Sequence, residues 1–130
     1  MHCGNPEFLH GDLTHRVIAA AIEVHRTLGP GLLENTYRQC LTHELRLAAM
    51  TVKQEVGISL EYKGIAIENA YRADIIVDGT VLIELKCVEK ALPVHRAQVA
   101  TYLRFLGLRV GLLLNFNETR LPEGIRRIFL

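Results

Sequence analysis

Tyr71-Arg-Ala-Asp-Ile-Ile-Val-Asp-Gly-Thr-Val-Leu-Ile-Glu-Leu-Lys86 reads as two strands joined at Asp78-Gly79, a strong short-range hairpin signal. Ile75, Val77, Val81, Ile83 and Leu85 are apolar and odd-numbered, so period-2 alternation sets them on one face of their strands. For both strands to share a core, opposed residues must have numbers that sum to an even value. A two-residue turn pairs Val77 with Thr80 and splits the apolar set. A three-residue loop with Gly79 left-handed, or a bulge, restores it. The same register gathers Asp74, Glu84 and Lys86 on the opposite face.

Charge in that position is costly. A buried carboxylate needs a partner, a proton or a metal, and two side by side repel until a divalent cation neutralises them. An Asp/Glu–Lys ion-pair cluster on a solvated sheet face satisfies the same spacing, so spacing alone leaves both readings open.

Working outward, Asp12 is placed to cap a helix carrying Val17, Ile18, Ala21, Ile22 and Val24 at helical spacing, stopped at Leu28-Gly-Pro-Gly31. A second helix is expected from about Leu33 to Met50, with Tyr37, Cys40, Leu41, Leu45 and Ala48 as its apolar stripe. Val52 to Tyr62 alternates as a strand, Lys63-Gly64 turns it, and Ile65-Ala66-Ile67 begins the return. After the central hairpin, Pro93 opens a third helix, from about Val94 to Leu106, with Gly107 as its stop. Leu108 to Phe116 reads as a strand buried on both faces, and Gly124 to Leu130 as a short last strand. The expected order is α-α-β-β-β-β-α-β-β, an α/β fold with a mixed sheet covered by helices.

At 130 residues the chain suits one domain, residues 11–130 behind a tail of residues 1–10. A formal charge of +1 neither demands nor excludes a nucleic-acid partner, so any phosphate-binding surface must be a local patch. No apolar run is long enough for a membrane helix, and the first residues lack the apolar core of a signal peptide. Cys3, Cys40 and Cys87 are odd in number and form no C-x-x-C, which suits a reducing cytoplasm and not a disulfide framework.

Other chemistry-bearing residues have ordinary explanations as well. Glu34 near the start of the second helix is favoured by the helix dipole, and Tyr37 shares its face at i, i+3, placed to orient the carboxylate. Gln98 and Tyr102 share a face at i, i+4, as boundary residues or as groups facing the charged patch. His15, His25, His43 and His95 lack metal-pair spacing; His25 and His95 lie next to proposed functional segments and keep a supporting role.

Gly31-x-x-Glu34-x-x-Tyr37, with Ile22-Glu-Val-His25 before it and Tyr71-Arg-Ala-Asp74, Ile83-Glu-Leu-Lys86 and Leu112-Leu-Leu-Asn-Phe116 after it, resembles the GxxExxY protein family over residues 10 to 130. That family is assigned to the PD-(D/E)XK nuclease superfamily. The resemblance implies a restriction-endonuclease-like sandwich and hydrolysis of DNA or RNA with Mg²⁺ or Mn²⁺. By the same resemblance Asp74, Glu84, the Leu85 carbonyl and Glu34 are the metal ligands and Lys86 completes the signature. Gln98 and Tyr102 match the Q-x-x-x-Y helix motif of RecB-like nucleases. The superfamily's leading proline is here Ala73, a departure. In this reading Arg72, Arg96, Arg104 and Arg109 contact phosphates. A non-catalytic nucleic-acid-binding or assembly protein keeping the fold is the alternative, and Phe116 and Phe129 are candidates to seed a homodimer.

Overall fold

The computed structural model describes residues 9–130. Most of the predicted tail, Cys3 included, lies outside them. Two helices, α1 (Gly11–Leu28) and α2 (Glu34–Leu47), precede strands β1 (Val52–Tyr62), β2 (Ile65–Val77) and β3 (Val81–Lys86). Helix α3 (Pro93–Leu106) leads to β4 (Val110–Asn115), and a short 3-10 turn, Leu121–Gly124, leads to β5 (Ile125–Phe129). The strands form one sheet in the order β1-β2-β3-β4-β5, antiparallel except for the β3–β4 pair. The crossover through α3 is what makes that pair parallel.

The central hairpin has the even-sum register: Val77 opposes Val81 and Ile75 opposes Ile83. Its loop is Asp78-Gly79-Thr80, with φ 51° at Asp78 and 61° at Gly79, and the Thr80 amide donates to the Val77 carbonyl at 2.9 Å. The odd-numbered apolar side chains therefore face α1 and α2, packing with Val17, Ala21, Tyr37, Leu41 and Leu45. The other face is not solvated. Ile76, Leu82 and Leu113 lie against Val99, Tyr102 and Leu103 of α3. Gly111 permits the close approach of that helix, since a Cβ there would lie 2.7 Å from Val99 Cγ1.

Four expectations are corrected. The two strands predicted for residues 65–77 are one, because the chain bulges at residues 68–70 without leaving the ladder. Asn69 takes φ 50° there and its amide donates to Ser59 Oγ at 3.2 Å, while Gly57 leaves room for its side chain. Asp12 is not the cap of α1; it sits in the first turn, where its charge complements the helix dipole. Ile22, assigned to the apolar stripe, is exposed. Phe116, named as a dimer contact, is fully buried and stacks on Tyr37 with centroids 4.6 Å apart, so it has no surface to offer a partner. Phe129 is half-buried against the same core. Cys40 and Cys87 are free thiols, and among the described residues no helix is long and apolar enough to cross a membrane.

Candidate active site

Beyond Ile75 and Ile83, β2 stops pairing with β3, while β3 continues alongside β4 to Lys86. A fork in a sheet leaves backbone donors without ladder partners, and buried donors must be satisfied. Here side chains do it. The Asp74 amide donates to Glu84 Oε1 at 2.9 Å, and the Leu85 amide donates to Asp74 Oδ2 at 2.8 Å. Each carboxylate thus fills the gap left by the other's strand. The crossed bonds fix both acid groups side by side at the mouth of the fork, under α3. Glu84 is only 3% exposed.

Burial dominates the electrostatics. It pushes Glu84 up to about 8, aided by the charge of Asp74. Asp74 is also raised by burial, but the Leu85 amide, a hydrogen bond with Glu84, Lys86 and Arg38 all pull it back. The pair therefore holds a proton more readily than two free carboxylates would. Glu34, at the N-terminal end of α2, is raised by burial and then by Asp74, with Lys86 and Arg38 opposing. Three acids and two cations, brought by α2, β2 and β3, thus share one electrostatic environment.

Gln98 Nε2 donates to the Tyr102 hydroxyl at 3.0 Å on the face of α3 that meets the fork. Tyr102 is raised by burial and then by Glu84. The Oε1 of Gln98 and the Nε of Arg38 are buried without a hydrogen-bond partner among the described residues.

Other expected site residues do different work. The Tyr37 hydroxyl donates to the Gly29 carbonyl and accepts the Leu32 amide at 3.2 Å, so it ties down the Gly-Pro-Gly loop and does not orient Glu34. His25 is buried, its Nε2 is 2.8 Å from the Glu118 carbonyl, and it joins α1 to the loop after β4. His95 Nδ1 accepts the Leu92 amide at 2.9 Å and closes the first turn of α3. Arg72 pairs with Glu55 at 3.3 Å, and Arg96 and Arg104 are exposed on α3. Arg109 binds the Leu130 carbonyl at the start of β4, beside Val81. Five residues of strand, roughly 16 Å, separate that end from Lys86, so Arg109 is not beside the fork.

The sequence reading missed two residues. Arg38 lies one helical turn from Glu34, reaches Glu55 at 3.0 Å and Asn35, and counters the charge of both Glu34 and Asp74. Its i, i+4 spacing from Glu34 was the available signal. Asn115, given no role beyond its place in the strand, is fully buried opposite Lys86. It accepts the Val88 amide at 3.1 Å and donates to the Val88 carbonyl at 2.8 Å, holding the segment that follows Lys86.

Among the described residues no three His, Cys, Asp or Glu side chains converge as a ready-made cation cage. The donor chemistry nevertheless suits a hard divalent ion: two adjacent carboxylates, a third acid nearby and an orphaned amide oxygen.

A family model described as the PD-(D/E)XK nuclease superfamily matches residues 11–128. Neither a curated protein nor a solved structure matches the chain.

Proposed function

Because the chain belongs to the PD-(D/E)XK nuclease superfamily, we propose that it is a metal-dependent nuclease that hydrolyses phosphodiester bonds in DNA or RNA. The observation that carries this reading is the crossed pair at the fork, where Asp74 and Glu84 are locked together by each other's strands. A structural ion pair has no need of two adjacent carboxylates, whose repulsion costs stability until a cation arrives.

Asp74 and Glu84 would hold Mg²⁺ or Mn²⁺, with Glu34 and the Leu85 carbonyl as further oxygen donors. Once held there, the ion would supply Lewis-acid chemistry, favouring negative charge on a phosphoryl oxygen and on the water. The chain's own groups do the rest. The two backbone hydrogen bonds fix the carboxylates before substrate binds, so little reorganisation is needed during reaction. Lys86, two residues beyond Glu84 on the same strand, offsets negative charge as it develops on the phosphate and positions the attacking water. Gln98, held by Tyr102, presents its free amide oxygen as an acceptor for water. Burial raises both Asp74 and Glu34, and the charge of Arg38 opposes that rise. Exposed Arg96 and Arg104 would contact the nucleic-acid backbone, which adds affinity without sequence choice.

The test is a cleavage panel of single- and double-stranded DNA and RNA with Mg²⁺ or Mn²⁺. Metal-dependent cleavage that disappears in Asp74→Asn supports the proposal. Equal turnover in the variant removes it. The second reading, a nucleic-acid-binding protein that keeps the fold without catalysis, is favoured by the lack of three converging ligands among the described residues. It predicts binding at low salt with no cleavage by the wild-type chain.

A further inference from the structure

Three aromatic rings run outward from the carboxylates, and the hydrolytic mechanism uses only one. Tyr102 packs its ring against Tyr71 of β2, centroids 5.2 Å apart and planes 39° apart. Tyr71 also faces Phe105, one turn further along α3, with centroids 6.4 Å apart and planes within 16° of parallel. Tyr71 opposes Ile58 in the β1–β2 register, and Ile58 packs under α3, which places this position on the α3 side of the sheet. Unlike the buried Tyr102, Tyr71 and Phe105 are each 40% exposed. Arg104, itself exposed, holds its guanidinium 5.3 Å from the Phe105 centroid.

Exposed aromatic rings are costly on a surface unless something covers them. Tyr71 lies three strand residues from Asp74, roughly 10 Å, or about three stacked nucleotides. An arginine beside the outermost ring suits a polyanion. Aromatic faces interleaved with arginine bind single-stranded nucleic acid by base stacking and cation–π contact, whatever the base. In a blunt duplex the bases are already stacked on one another, and only the two end pairs leave a ring face open.

We infer that Tyr71 and Phe105 form a stacking platform for an unpaired base of the strand whose phosphate enters the Asp74–Glu84 fork, so that the site takes single-stranded nucleic acid. The inference rests on the nuclease reading and narrows its substrate. Arg104 supplies the phosphate contact beside the platform, and Tyr102 links the platform to the site through its hydrogen bond with Gln98.

The test measures equilibrium binding of the full chain in EDTA, where no cleavage intrudes. The probes are an oligothymidylate of about 12 nucleotides, within the span of single-strand sites, an abasic strand of equal charge, and a blunt duplex. The oligothymidylate should bind about 10-fold or more tightly than the abasic strand, and Phe105→Leu should erase that advantage. Phe105→Trp, which keeps a ring, should preserve it. Equal affinity for base-bearing and abasic strands would overturn the platform, as would preference for the duplex. So would a wild-type dimer that Phe105→Leu splits into monomers, because the rings would then be covered by a second copy. The two readings fail separately. Mn²⁺-dependent cleavage without base-dependent binding sinks only the platform, and base-dependent binding without cleavage sinks only the hydrolysis.

Discussion

The Asp74 amide donates to the Glu84 carboxylate at 2.9 Å, one residue past the last ladder pair of their two strands. Glu84 therefore has two roles that compete for the same group. As a hydrogen-bond acceptor it replaces a missing strand partner. As a charge it is buried beside Asp74, whose Oδ2 is already engaged with the Leu85 amide. One oxygen of each carboxylate is committed to the backbone, which holds the other near the mouth of the fork.

The metal-free protein should lose stability as pH rises. Glu84 has an ordinary value of 4.5 and stands at about 8 in the folded protein. Between these limits the folded chain keeps a proton that the unfolded chain releases, so unfolding becomes easier as pH increases. Asp74 is raised too and contributes with the same sign. Melting in EDTA should fall by roughly 5 °C or more between about pH 5 and about pH 8. Glu84→Gln, which keeps an acceptor for the Asp74 amide, should flatten that dependence. A flat wild-type profile would remove the buried-acid account.

The charge of Lys86 counters that of Asp74, Glu84 and Glu34. Lys86→Met should cut cleavage about 100-fold or more while the circular dichroism spectrum stays unchanged. Cleavage within about threefold of wild type would show that this ammonium stabilises no developing charge.

Tyr37 sits beside Glu34 in sequence but serves the loop before α2. Tyr37→Phe leaves the Gly29 carbonyl and the Leu32 amide without the hydroxyl they share. Denaturant unfolding should show a loss of about 1–3 kcal/mol, with Mn²⁺ affinity almost unchanged. A large loss of affinity at unaltered stability would instead tie the ring to the site.

Gly111 lies where α3 crosses β4. Gly111→Ala drives a methyl group into Val99 Cγ1 and toward Leu103. Overpacking of this kind should cost about 1–3 kcal/mol in the same measurement. Because α3 carries Gln98 and Tyr102, the variant should also weaken cleavage. Wild-type stability would mean that α3 rides further from the sheet than this structure places it.

The hairpin was legible because alternation and turn chemistry are local. Five odd-numbered apolar residues and an Asp-Gly turn leave only an even-sum register, and that register brings Asp74 opposite Glu84. The covering of the other face by α3 was not legible, since nothing in Ile76 or Leu82 names the helix that will bury them. Residues 65–77 were split because the return strand at Ile65-Ala66-Ile67 and the hairpin from Tyr71 read as separate runs, whereas a bulge at residues 68–70 joins them in one strand. Tyr37 and His25 were assigned to chemistry from their position in the chain, but a buried hydroxyl or imidazole takes whichever backbone group is in reach. Arg38 and Asn115 depend on contacts between elements, and helical spacing from Glu34 marked only the first of them.

The central claim is that Asp74 and Glu84 together hold a divalent cation. Calorimetric titration of the full chain with Mn²⁺ at about pH 8, where both acids can release their protons, tests it most directly. The account predicts a saturable site in the wild type that is lost in both Asp74→Asn and Glu84→Gln. Mn²⁺ uptake of equal affinity in the wild type and both variants would contradict it, as would no uptake by the wild type.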